Sequence, residues 1–87
     1  METAKLLSPP HNYAVVQLPG RHYPGVVFQG DSLNILITSL ERALAEPDPS
    51  ERDAILQDVM EQLRAVRSGY EATLQQAGIE LPYYRGL

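Results

Sequence analysis

Residues 48–78 read DPSERDAILQDVMEQLRAVRSGYEATLQQAG, the longest regular stretch in the chain. Asp48 is a good N-cap residue, Pro49 suits the first helical position, and Glu51 falls where a capping box places its glutamate. Acidic side chains at Asp48, Glu51 and Asp53 complement the positive helix start. Leu56, Val59, Leu63, Val66, Tyr70, Thr73 and Ala77 then recur in alternating steps of three and four, a heptad stripe. Gly78 stands where a left-handed C′ residue ends a helix, with Ile79 placed to meet Leu74 as in a Schellman motif. These signals bracket a second helix within 48–77, of some 28 residues and about 42 Å at 1.5 Å per residue. Ser68-Gly69 interrupts its middle, at a cost of about 1 kcal/mol relative to alanine. The glycine therefore suggests a kink or a close approach of another backbone, unless it is simply tolerated.

Upstream, Leu33, Leu36, Ile37, Leu40 and Leu44 also show helical spacing. Gly30-Asp31 offers a stop followed by a cap, and Pro47 disfavours helix at Glu46. A first helix is therefore expected over 31–46, with Asp31 as its N-cap. Residues 1–30 read as β. Thr3–Leu7 is a possible short strand, 12–18 (NYAVVQL) is the strongest one, and Val26–Gln29 is the next. Pro9, Pro10, Pro19, Gly20, Pro24 and Gly25 separate them. The expected fold class is α+β: a small antiparallel sheet of two or three strands packed on two C-terminal helices, the second long. Residues 1–87 form one domain, ending in a tail over 79–87. The second helix is nearly twice the first in length. Its overhanging apolar stripe calls for cover by the tail or by another chain, and a homodimer through the second helix is the expected arrangement.

The chain has 87 residues, no cysteine, and a net charge of −4. One domain is the limit at this length. Residues 1–30 carry +1, 31–46 carry −2 and 47–87 carry −3, with no basic cluster. Phosphate neutralisation dominates nucleic-acid affinity, and a membrane-surface helix also needs a basic face, so neither partner is expected. No apolar run approaches the roughly 18 residues of a membrane span. The first residues lack the basic and apolar regions of a signal peptide, and a cytoplasmic location is expected.

Catalytic chemistry finds little support. His11 and His22 lie in loops without the partner spacing of a metal site. Gly30-Asp31-Ser32 matches no phosphate loop or nucleophile elbow. No enzyme activity, metal or cofactor is expected. Two clusters are less ordinary. Arg21, His22 and Tyr23 lie between two Pro-Gly turns, and Tyr83, Tyr84 and Arg85 lie in the tail. Arginine and tyrosine are enriched at binding hot spots, which makes these six the candidate partner-binding residues. Gln29 and Ser32, at the strand-to-helix turn, are candidate ligand-binding residues.

The segment from Asn12 to Leu36 contains AVVQLPGRHYPGVVFQGDSL at residues 14–33. It resembles a family of small bacterial proteins of unknown function that carry an A-V-x-x-L-P-G-R-x-x-P-G-V-x-x-Q-G-D-S-L pattern, followed by helices and a short proline–tyrosine–arginine tail. The resemblance implies membership and brings no activity with it. The function expected is that of a non-catalytic protein-interaction domain, such as an immunity protein or a small regulatory subunit. The alternative is a small-ligand or nucleotide-binding module using loop 19–25 and turn 29–32.

Overall fold

Residues 3–7 and 13–84 are described by the computed structural model. Strands β1 (Lys5–Leu6), β2 (Tyr13–Gln17) and β3 (Gly25–Phe28) form an antiparallel meander in the order β1-β2-β3. Helices α1 (Gly30–Ala45) and α2 (Pro49–Ala77) follow. The α+β architecture with a longer second helix is the one expected, and the short Thr3–Leu7 candidate supplies the third strand.

Strand alternation sorts the sheet's two faces. Val15 pairs with Val26 and Tyr13 with Phe28, so these four share the inner face. The Leu7 amide donates to the Val15 carbonyl at 2.8 Å and adds Leu7 to that side. Leu6, Ala14, Val16 and Val27 take the outer face, where Leu6 and Val27 are exposed. The inner face packs on the C-terminal half of α2. Val15, Tyr70 and Leu74 form its buried centre, with Leu7, Tyr13, Val26, Ile79 and Leu81 around them.

That packing explains Gly69. A Cβ at this position would collide with the Tyr13 hydroxyl, and ring carbon Cζ would lie 3.2 Å away. The mid-helix glycine makes room for a tyrosine ring crossing from β2, so the close approach is by a side chain.

The ends of α2 follow local chemistry. The Asp48 side chain accepts from the Ser50 amide at 3.0 Å, and Pro49 begins the helix. The back-bond expected from Glu51 comes instead from Glu46, whose Oε1 accepts from the Asp48 amide at 3.1 Å. At the far end Gly78 has φ 70°. The Gly78 amide donates to the Gln75 carbonyl at 3.2 Å, and the Ile79 amide to the Leu74 carbonyl at 2.9 Å. This bond pair is a Schellman motif.

The first helix starts differently from the expectation. Gln29 occupies the N-cap position with no side-chain capping bond, and Gly30 is already helical. Asp31 therefore lies inside the first turn, where its Oδ1 accepts from the Ser32 amide at 2.8 Å. The capping role assigned to Asp31 is corrected: strand β3 ends at Phe28, and the chain turns helical one residue earlier than the carboxylate.

Glu46, Pro47 and Asp48 join the two helices, and α1 packs back along the N-terminal half of α2. Leu36 and Ala43 are its buried residues, and Val59 is buried on α2. Sheet and tail thus cover one half of the long helix, and α1 covers the other. The resulting body measures 48 × 36 × 20 Å with a radius of gyration of 15.7 Å. A compact chain of this length would have about 12 Å. Its accessible surface is 6663 Å², against roughly 5,100 Å² for a folded monomer of this mass.

Candidate functional site

The loop between β2 and β3 is held at three points. Leu18-Pro19-Gly20-Arg21 is a turn in which the Arg21 amide donates to the Leu18 carbonyl at 3.3 Å. Gly20, at φ 73°, supplies the left-handed residue that a type II turn requires after proline. Gln17 Nε2 donates to the Arg21 carbonyl at 2.6 Å. The Tyr70 hydroxyl reaches from α2 to donate to the Pro24 carbonyl at 2.8 Å. Arg21, His22 and Tyr23 are exposed on this frame, with the His22 and Tyr23 rings meeting edge-on at 4.5 Å. Burial pushes the Tyr70 phenol above its ordinary value, because the charged form would lose its water.

The tail cluster divides. Tyr83 stacks on Tyr70 with ring centroids 6.5 Å apart, and its hydroxyl donates to Glu71 Oε2 at 2.9 Å. It braces the domain. Tyr84 is 92% exposed, and Arg85 lies outside the described residues, as does His11.

Gln29 and Ser32 also part company. Gln29 is exposed at the N-cap of α1. Ser32 is half-buried and lines a groove of about 320 Å³ with Tyr13, Phe28, Ile35 and Gln62. Pro24 and Gly25 border a different groove, on the other side of Phe28 and Val66. Loop 19–25 and turn 29–32 therefore do not converge on a common cavity. Among the described residues no three His, Asp or Glu side chains gather as a metal site would need. No described helix is long and apolar enough to cross a membrane.

A larger feature lies on the helical hairpin. On α1, Leu33, Ile37, Leu40 and Leu44 are all exposed, from 40% for Leu40 to 89% for Leu44. On α2, Leu56, Met60 and Leu63 are exposed as well. Both stripes step by four and three, the spacing of a helix–helix seam. Helical spacing had grouped Leu36 with Leu33, Ile37, Leu40 and Leu44. The structure splits that set: Leu36 turns toward α2, and the other four face outward.

Helical geometry puts both stripes on one side. At about 100° per residue, the α1 stripe lies about 80° round the helix from Leu36 and Ala43. The α2 stripe lies about 70° round from Val59 in the same rotational sense. In an antiparallel pair, equal senses of rotation turn both stripes to the same face. The hairpin therefore presents one broad apolar surface with two leucine-rich ridges.

A three-stranded meander followed by a helical hairpin with exposed apolar ridges defines a small α+β domain. A family model matches residues 1–83, and the chain belongs to that family, a family of unknown function (DUF6959). No curated protein and no solved structure matches the chain significantly.

Proposed function

We propose that the chain is a non-catalytic protein-interaction domain whose working surface is the apolar face of the α1–α2 hairpin. The observation that supports this reading is seven large apolar side chains exposed along two adjacent ridges. Single exposed leucines are ordinary on a protein surface, but a contiguous patch marks an interaction site. The exposed Arg21, His22 and Tyr23, on a loop pinned by Tyr70 and Gln17, offer a second, polar contact. A small regulatory or immunity role in the cytoplasm fits an acidic chain that acts by contact.

A photo-crosslinking residue placed at Leu40, in the cells that make the protein, tests the reading. Arg42, which points about 160° away from the stripe, is the control position. Crosslinks to protein from position 40 and none from 42 are expected. No crosslink from position 40, or equal yields from both, would overturn it.

A further inference from the structure

Between β3 and α2 lies a groove of about 390 Å³, a volume in the range of small-molecule sites. The hydrogen bonding of the sheet fixes what β3 presents to it. The Val15 carbonyl faces β1, where it accepts from the Leu7 amide. Neighbouring residues of an antiparallel strand bond on the opposite side, so Ala14 and Val16 pair with β3 through Val27 and Gly25. The amides of Val26 and Phe28 therefore point away from β2, along the free edge of β3. The side chains of the same two residues lie on the inner face of the sheet and, with Leu63 and Val66 of α2, make the groove apolar.

One charged side chain lines this groove, Arg67 of α2. Arg67 is exposed, and among the described residues no carboxylate pairs with it. Glu71, one turn further along the helix, accepts instead from the Tyr83 hydroxyl. The surrounding charge has the same sign as Arg67. Residues 1–30 and 62–87 carry five basic side chains against three acidic ones, whereas 31–61 carry eight acidic ones against two arginines. The groove is thus built from the two stretches that are net positive in an otherwise acidic chain.

We propose that this groove binds a small carboxylic acid with an apolar body, taken up as its anion. The carboxylate pairs with the Arg67 guanidinium, whose planar fork matches two carboxylate oxygens. The body lies on Val26, Phe28, Leu63 and Val66, and the free amides of Val26 and Phe28 add donors along the strand wall. A single guanidinium supplies one positive charge, which balances a carboxylate and leaves a phosphate dianion half neutralised. The site adjoins the hairpin face, with which it shares Leu63. It goes beyond the protein contact proposed there, because its ligand is a small molecule.

Titration of the isotope-labelled full chain with octanoate, followed by NMR, tests this. Octanoate at millimolar concentration should move the Val26 and Phe28 amide signals saturably. Acetate has the head without the body, and octylammonium has the body with the opposite charge. Both should leave those signals in place. Arg67→Gln, at an exposed position, should weaken octanoate binding about tenfold, as loss of a charge-assisted hydrogen bond does. Arg67→Lys should recover part of that loss. An absence of saturable shifts at Val26 and Phe28 would overturn the proposal. Equal binding of acetate or octylammonium would overturn it too, as would undiminished octanoate binding by Arg67→Gln. Crosslinking from position 40 is read on a different surface and with a protein partner. Failure there would leave octanoate binding unaffected, and failure here would leave the hairpin contact standing.

Discussion

Tyr70 ties the long helix to the loop. Its ring is buried beside Val15 and Leu74, and its hydroxyl satisfies the buried Pro24 carbonyl. Tyr70→Phe removes the donor and leaves that carbonyl unpaired, at a cost of about 1–3 kcal/mol. Chemical denaturation should show that loss, and an unchanged midpoint would contradict the bond. The same residue predicts an alkaline effect. Burial raises its pKa above 10.0, so the native state keeps a proton that the unfolded chain gives up. The stability tied to Tyr70 is therefore complete below pH 10 and declines as pH climbs from 10 through the folded-state value. Wild type should lose more stability than Tyr70→Phe over that interval, and parallel pH curves would refute the assignment. Gly69 makes a second residue-scale case. Gly→Ala in a helix normally gains about 1 kcal/mol. Here the new methyl meets the Tyr13 ring, so Gly69→Ala should gain nothing in wild type and about 1 kcal/mol in a Tyr13→Leu background. Additive effects in that double-mutant cycle would mean the ring does not cross the helix there.

Among the elements, α2 was legible from local signals because its ends are made locally. Asp48, Pro49, Gly78 and Ile79 each meet backbone groups within a few residues. The start of α1 was less legible, because it depends on where strand β3 stops pairing. Phe28 closes the strand, Gln29 takes the N-cap position and Gly30 opens the helix without a side-chain cap, leaving Asp31 two positions past the cap. The two aspartates should therefore differ. Asp48→Ala should cost about 1 kcal/mol by loss of its bond to the Ser50 amide. Asp31→Ala should cost only about 0.3 kcal/mol, through the helix dipole. Paired thermal melts check this, and equal shifts would restore Asp31 as a cap. The apolar pattern of α1 shows a different limit. Leu33, Leu36, Ile37, Leu40 and Leu44 are spaced as a helix would space them, and helix was the right reading. Spacing says that they share a broad side of the helix. It does not say that Leu36 and Ala43 meet α2 while the others are left outside. The mid-helix glycine was visible as an anomaly, but its cause lay in Tyr13, more than fifty residues away in sequence.

At the scale of the whole molecule, the expected overhang of α2 is covered within the chain itself. Strand β1, the sheet and the tail residues Ile79 and Leu81 cover the C-terminal half, and α1 covers the N-terminal half. What remains open is a lateral face running over both helices, in a chain with a radius of gyration of 15.7 Å. Among the candidate residues, Tyr83 turns inward against Tyr70 and Glu71, whereas Arg21, His22, Tyr23 and Tyr84 remain on the surface. The central claim, proposed above, is that this face is where the chain meets another protein. The chain has no cysteine, so a single introduced thiol reports its surroundings without interference. Met60→Cys, near the middle of the face, and Val27→Cys, on the outer side of the sheet, should be labelled separately with a thiol-directed photo-crosslinker, irradiated in extract of the cells that make the protein, and sized under denaturing conditions. The account predicts crosslinked protein products from Met60→Cys and none from Val27→Cys. No product from either, or products from Val27→Cys alone, would contradict it.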